Sequence, residues 1–244
     1  MEIKTKKFYY AKSDILFKMV VASEKGKDIL KAIIEDALKI KLDFLEILNN
    51  ELTLENIKEQ GKRVDCLAKC GDTIYNVEIN ASNRKYIRER NLRYVMSKHV
   101  AQFEKGEGYY KVKKSIQINL DWDVNYDKVK KEYMLREADN NDDLFSENIK
   151  IYSFDMEKLR KLCYTKNKKS LEYKYLTMLA IDNKKDLLEY SKGDKIMEKY
   201  SKKTIEINEK EMYNDMFTKE EDDALIYKSA LECARDEGLN EGKK

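Results

Sequence analysis

The chain has 244 residues, 42% of them hydrophobic and 39% charged, so a real core is available beneath an unusually charged surface. Its 49 basic and 46 acidic side chains nearly cancel to +3, which excludes an argument for nucleic acid from net charge and leaves only a local basic patch to make one. No apolar run approaches a membrane span and no signal-peptide apolar stretch is present, so no membrane partner is expected and the expected compartment is a reducing cytoplasm. Proline is absent, which reads as a compositional bias of the source genome and carries no functional weight.

Residues 13–22 read as a helix opened by a Ser13 cap, with Ile15, Leu16, Met19 and Val20 on its apolar side. A second helix over 25–40 presents Ile29, Leu30, Ile33, Ile34, Ala37 and Leu38 at helical spacing. Residues 43–58 alternate weakly and predict an extended segment leading into a hairpin with strands over 62–70 and 73–81. Gly71-Asp72 suits its two-residue turn, because glycine supplies the positive φ such turns need. A long helix is predicted over 84–105, capped by Asn83 and ended at Gly106. The stretch Ser115 to Trp122 alternates as a third strand, which a helical crossover can lay parallel to the second hairpin strand. A polar loop from Arg136 to Glu147 precedes a short apolar segment at Ile149–Phe154. From Met156 onward the pattern is helical, with a Thr218–Glu221 capping box ahead of Ala224 and Leu225 and a charged tail that frays. The expected organisation is an α/β core over 1–155 and a helical C-terminal region over 156–244 packed on it.

The hairpin carries most of the chemical information. Its turn pairs Cys70 with Thr73, and that register sets Asp65 opposite Glu78 and Arg63 opposite Asn80. Val64, Cys66, Ala68, Tyr75, Val77 and Ile79 then share an apolar face. Arg63, Asp65, Leu67, Asn76, Glu78 and Asn80 share a polar one. Two facing carboxylates repel, and a divalent cation between them is the simplest compensation. An ordinary solvated sheet face with two unpaired acids is the alternative.

Cys66, Cys70, Cys163 and Cys233 show no Cys-x-x-Cys spacing, and His99 is the single histidine. Structural zinc, a disulfide framework and histidine triads are therefore poorly supported, and His99 reads as packing at the edge of a helix interface. Arg84, Lys85, Arg88, Arg90, Arg93 and Lys98 crowd the predicted long helix, with Tyr86 and Tyr94 interleaved. Guanidinium forks at a helix start bind backbone phosphates. A solvated helical face is the competing explanation, and closeness to Glu78 and Asn80 favours the phosphate.

The ordered segments Ser13-Asp14-Ile-Leu-Phe17-Lys18, Lys62-Arg63-Val-Asp65, Val77-Glu78-Ile-Asn80, Arg90-Asn-Leu-Arg-Tyr94 and Gly106-Glu-Gly-Tyr109 through Ile116-Gln-Ile-Asn resemble the PD-(D/E)XK nuclease superfamily. Within it they are most similar to the recombination-promoting nuclease/putative transposase family, over roughly residues 10–125, and the glycine- and glutamate-rich tail looks like that family's C-terminal ends. The resemblance implies a restriction-endonuclease-like α/β core, a mixed central sheet flanked by helices, with a helical C-terminal extension. It implies Mg²⁺, with Mn²⁺ as a substitute, held by Asp65, Glu78 and the carbonyl of Ile79, and a supporting role for Asp14, for which helix capping competes. The superfamily's lysine, commonly glutamine in this family, corresponds to Asn80, which can donate a hydrogen bond but carries no charge. Arg63 or a residue of the basic helix start is then the source of the missing charge. Gln102 and Tyr94 match family positions without an assigned role.

Three functions follow in order of preference. The first is a metal-dependent DNA endonuclease serving recombination, transposition or defence against foreign DNA, with Arg63, Arg84, Arg88 and Arg90 on the nucleic acid. The second is a catalytically impaired DNA-binding member of the same fold. The third is a protein-interaction module whose acid pair is incidental. Oligomeric state stays open, a homodimer being the arrangement that cutting both strands of a duplex favours.

Overall fold

The computed structural model describes residues 7–48, 66–103, 106, 108–164, 172–213 and 216–219, with scattered positions from 222 to 235. Helix α1 spans Asp14–Val21, and the Ser13 hydroxyl accepts from the Leu16 amide at 3.2 Å, as the cap predicts. Its buried side is Leu16, Phe17, Val20 and Val21, and it includes Lys18. Helix α2 spans Lys27–Leu38 and buries Ile29, Leu30, Ile33, Ile34 and Ala37. Between the two helices Gly26 is obligatory, because a Cβ there would lie 2.2 Å from the Val20 carbonyl oxygen.

Six strands form one mixed sheet: β1 Glu46–Ile47, β2 Cys66–Cys70, β3 Thr73–Asn80, β4 Lys114–Asp121, β5 Lys130–Arg136 and β6 Leu144–Asp155, in the order β1-β2-β3-β4-β6-β5. The central trio β3, β4 and β6 is parallel, and the outer pairings are antiparallel. Gly71 adopts φ +54° in the turn, and Cys70 pairs with Thr73 and Cys66 with Val77, the register expected of the hairpin. Arg63, Val64 and Asp65 lie outside the described residues. So does most of the extended segment expected over 43–58, of which β1 is the part seen in the sheet.

Helix α3 connects β3 to β4 and spans Ile87–Val100, shorter than the 84–105 expected. Tyr86 takes a left-handed conformation at φ +64° immediately before it, so the helix cannot extend back to Asn83, and no side chain caps it. The expected polar loop from Arg136 to Glu147 is instead a hairpin, in which β5 pairs with β6 and the turn takes residues 137–143. Strand β5, Lys-Lys-Glu-Tyr-Met-Leu-Arg, is an edge strand, and its charged residues blunt the open edge while masking the alternation that marks a half-buried strand.

Helices α4 Met156–Leu162, α5 Lys174–Leu179, α6 Lys184–Ser191 and α7 Lys195–Glu209 follow. Asp155, Asn183 and Asp194 cap α4, α6 and α7. Thr218 lies among the helical residues 216–219, Glu221 of the expected capping box lies outside the described residues, and the ring of buried Phe217 lies 4.6 Å from that of Tyr9. The C-terminal helices meet the N-terminal ones through the Asp36 carboxylate, which accepts from the amides of Tyr175 and Leu176, and through the Lys199–Asp28 ion pair at 2.6 Å.

The side-chain alternation sorts the sheet into two buried faces. Cys66, Ala68, Val77, Ile118, Leu120 and Phe154 join α1, α2 and the C-terminal helices in one hydrophobic cluster. The opposite face carries Asn76, Glu78 and Asn80 on β3, Ser115, Gln117, Asn119 and Asp121 on β4, and Ser153 on β6. That face lies under α3, as the contacts of Arg90 with Asn80 and of His99 and Gln102 with Ser115 establish. No helix among the described residues is long and apolar enough to cross a membrane.

Candidate active site

The parallel register sets Glu78 beside Asn119, Asn80 beside Asp121 and Asn119 beside Ser153, so three strands contribute to one polar surface. Asn80 and Asp121 are the last residues of their strands, and in open α/β sheets the crevice beyond such strand ends is where ligands bind. The surface is buried, so its members must satisfy one another. The Asn76 amide donates to Glu78 Oε1 at 3.1 Å, the Gln117 amide to Asn119 Oδ1 at 2.8 Å, and the Asn119 amide to Ser153 Oγ at 3.1 Å.

Asn80 is held from both ends. Its Nδ2 donates to Asp121 Oδ1 at 2.5 Å, and its Oδ1 accepts from an Arg90 guanidinium nitrogen at 2.6 Å. The Tyr126 hydroxyl donates to the other Asp121 oxygen at 2.8 Å. Burial pushes the Asp121 carboxyl up and Asp155 adds to the rise, while hydrogen bonds from Asn80, Tyr126 and Ser153 oppose it. Arg90 keeps its Nε without a partner among the described residues and lies 5.6 Å from the centre of the Tyr94 ring.

A second cation, on α1, lies within the electrostatic reach of Glu78. Lys18 is 6% exposed and its ammonium lies 2.6 Å from Asp14 Oδ2, one helical turn away. Burial alone would push the Lys18 ammonium down, but the Asp14 charge and hydrogen bond, with a further contribution from Glu78, raise it overall. Lys18 therefore remains charged, paired with Asp14 and stabilised further by the Glu78 charge.

Of the residues the sequence singles out, Glu78, Asn80 and Arg90 lie at this end of the sheet, and Asp14 is linked to them only through Lys18, on which Glu78 acts electrostatically. The Ile79 side chain points to the opposite, apolar face, and Ile79 pairs with Leu120. Arg88 is exposed on the first turn of α3, and half-buried Arg84 precedes that helix and donates to Ser82 Oγ at 3.2 Å. Asp65 and Arg63 lie outside the described residues. Gln102 ties the end of α3 to β4 through the Lys113 backbone and Ser115 Oγ, and His99 shares that hydroxyl at 3.1 Å. Burial lowers the His99 pKa, in keeping with a packing histidine. Cys66, Cys70 and Cys163 form no disulfide among the described residues.

Sequence reasoning missed Lys18, Asp121 and Tyr126. A signal for two of them was present. Gln117, Asn119 and Asp121 alternate with Ile116, Ile118 and Leu120, repeating on β4 the polar-apolar pattern read on β3. Lys18 interrupts an apolar run four residues after Asp14. Tyr126 sits in a loop, where no periodicity points to it.

Among the described residues no three His, Cys, Asp or Glu side chains cluster closely enough to hold a metal. The buried Glu78 carboxylate offers hard oxygens of the kind Mg²⁺ and Mn²⁺ take, and Mg²⁺ is commonly bound through only one or two carboxylates. The donor chemistry thus fits a divalent cation, with Asp65 beyond the described residues.

The family model of the PD-(D/E)XK nuclease family transposase matches residues 11–234. The chain belongs to this family. Its mixed six-stranded sheet flanked by helices is the α/β restriction-endonuclease-like fold. Membership supports a nuclease- or transposase-related role with DNA as substrate, and PD-(D/E)XK nucleases generally use divalent metals. No curated protein and no solved structure matches the chain.

Proposed function

We propose that this PD-(D/E)XK chain is a Mg²⁺-dependent DNA endonuclease, acting in the cytoplasm in recombination, transposition or defence against foreign DNA. One observation carries the reading: a buried carboxylate, Glu78, lies two residues before Asn80, which Arg90 of α3 holds, and acts electrostatically on the buried Lys18 of α1. Burying an acid among amides is costly, and a working site is the ordinary reason to retain one. Asp65 and Glu78, with the Ile79 carbonyl, are the residues that would hold the metal. The divalent cation supplies, when bound, Lewis acidity toward water and toward the scissile phosphate.

The chain's own residues do the rest. Lys18 takes the electrostatic part of the charge that Asn80 lacks, and Asp14 positions Lys18. Arg90, oriented by Asn80, offers the rest of its guanidinium to a phosphate oxygen in the planar geometry that group favours. Arg88, Arg84 and the Arg63 segment extend the basic path for the backbone. A homodimer would give one site per strand of a duplex.

A second reading, a DNA-binding member without catalysis, draws on a specific observation: both polar ends of Asn80 are already engaged. Plasmid nicking with Mg²⁺ or Mn²⁺ separates the two. Nicking by the wild type, lost in Asp65→Ala and Glu78→Gln, is the expected result. A wild type inert with either metal, beside an Asn80→Lys variant that cuts, would assign the chain to the impaired class.

A further inference from the structure

The two ends of α3 differ in kind. At its start Arg90 meets Asn80. Beyond its end Gln102 holds the Lys113 backbone, about 18 Å away at 1.5 Å of rise per residue. At this far end Tyr109 and Tyr110 are 84% and 87% exposed. Exposed Phe103 stands edge-on to the rings of His99 and Tyr109, 5.8 and 5.9 Å from their centres. Tyr110 is seated on the backbone: a Cβ on Gly108 would lie 2.3 Å from a carbon of its ring, so glycine is what lets that ring settle there. The ring is positioned yet almost wholly open to solvent. Large apolar side chains exposed singly need no explanation, but three neighbouring rings braced in this way mark an interaction surface.

Charge selects the occupant. The chain leaving the rings carries Lys111, Lys113 and Lys114. Lys69 of β2 lies against Lys113, and its contact and charge lower the Lys113 pKa, which Asp72 and Glu46 oppose only in part. Glu147 pairs with Lys114 at 3.4 Å, and Glu104, Lys105 and Glu107 lie outside the described residues. Two ammonium groups set against each other are an arrangement that an anion relieves, whereas a second copy meeting this surface would add the same cations. The family's substrate is DNA. Aromatic rings beside cations stack on bases while the cations take the phosphates. A paired duplex hides the faces of its bases and offers only their edges, so these rings need unpaired bases.

We propose that Tyr109, Tyr110 and Phe103 form a stacking platform for unpaired bases, with Lys69 and Lys113 on the adjoining phosphates. The proposal rests on the nuclease reading above and names its substrate class, DNA with a single-stranded stretch beside the duplex.

Fluorescence anisotropy on the full chain tests it, with chelator in place of metal so that nothing is cut. The probes are a labelled oligothymidylate, a blunt duplex and the same duplex with a single-stranded overhang. The overhang duplex is expected to bind at least about 10-fold tighter than the blunt one, within the range that one or two base–aromatic contacts supply. Tyr109→Ala and Tyr110→Ala, at positions too exposed to hold the fold, should each weaken binding of the oligothymidylate and the overhang by about 10-fold and leave the blunt duplex unchanged. Tyr110→Phe should keep the affinity, and Gly108→Ala, which displaces the ring, should lower it. Lys113→Gln should weaken binding and flatten its salt dependence. Alanine variants that bind the single strand as the wild type does overturn the proposal and leave the rings to a protein partner. Variants that lose the blunt duplex equally overturn it too. Manganese-dependent plasmid nicking is scored separately. Nicking by a chain without the single-strand preference fails this proposal alone, and the preference without nicking fails the nuclease reading alone.

Discussion

The two faces of the central sheet are buried to the same depth and built from opposite chemistry. On one, Val77, Ile118, Leu120 and Phe154 are fully buried in the main hydrophobic cluster. On the other, Glu78, Asn80, Gln117, Asn119 and Asp121 are at most 6% exposed. The same strands supply both sets, because successive side chains point to opposite faces. Burial therefore does not tell a stabilising residue from a functional one, whereas the cost of burial does. The apolar face gains about 25 cal/mol for each Å² it hides, while each polar group opposite needs a partner merely to break even. Their covers differ as well. Helices from both ends of the chain pack on the apolar face. Over the polar face lies α3, whose only buried residues are Asn91 and Val95. A cover held by so little apolar contact should open at lower free energy than the core does.

The largest expected effect separates the faces by kind. Glu78→Gln should keep the hydrogen bond from Asn76, so the melting temperature should stay within a few degrees of wild type. Nicking should fall about 10³-fold or more, the scale of the several kcal/mol of charge stabilisation a metal site supplies. Leu120→Ala, its near neighbour on the opposite face, should do the reverse. A cavity costing about 3 kcal/mol should lower the melting temperature by roughly 6–12 °C, while residual folded protein nicks at the wild-type rate. Loss of nicking with no loss of stability in Leu120→Ala would break the assignment of faces.

The apolar face was the legible one. Ile29, Leu30, Ile33 and Ile34 on α2, and Ile116, Ile118 and Leu120 on β4, announce themselves because burial of apolar area imposes a period, and a period is visible in one sequence. The hairpin register was legible for the same reason, since Gly71-Asp72 fixes which residues face each other. The polar face was legible only in part. Glu78 and Asn80 stood out beside Asp65, but the network joining Asn80 to Asp121, Tyr126 and Arg90 spans four elements, and no local pattern encodes a contact between residues 41 positions apart. Strand β5 escaped because an edge strand is charged by necessity, and the start of α3 escaped because Tyr86 takes a left-handed conformation that its sequence does not advertise.

Lys18 sharpens the comparison, since it belongs to a helix of the apolar face and feels the charge of a carboxylate on the polar one. Lys18→Met should suit its buried surroundings yet leave Asp14 without its cation, at a cost of about 1–3 kcal/mol. Adding Asp14→Asn should recover most of that stability, because the uncompensated charge goes with it. Nicking should not recover if Lys18 acts on the phosphate. If nicking returns with the fold in the double variant, the ion pair is structural, and Arg90 alone carries the charge that Asn80 lacks.

The smallest effect is read in pH dependence. Burial raises the Asp121 carboxyl, so the folded chain holds that proton more tightly than the unfolded chain does. Its contribution to stability is fully present below the ordinary carboxylate value near 3.9 and is lost as pH rises through the folded pKa. Asp121→Asn does not titrate and keeps an oxygen to accept from Asn80, so relative to wild type it should gain stability as pH climbs from about 4 toward neutrality. Melting temperatures of both proteins across that range check the sign, and a difference that is flat or falls with pH would refute it. A gain would mean that the polar face is kept at a standing cost in stability. No truncation on the apolar face can return one, because there every buried atom already contributes to holding the fold together.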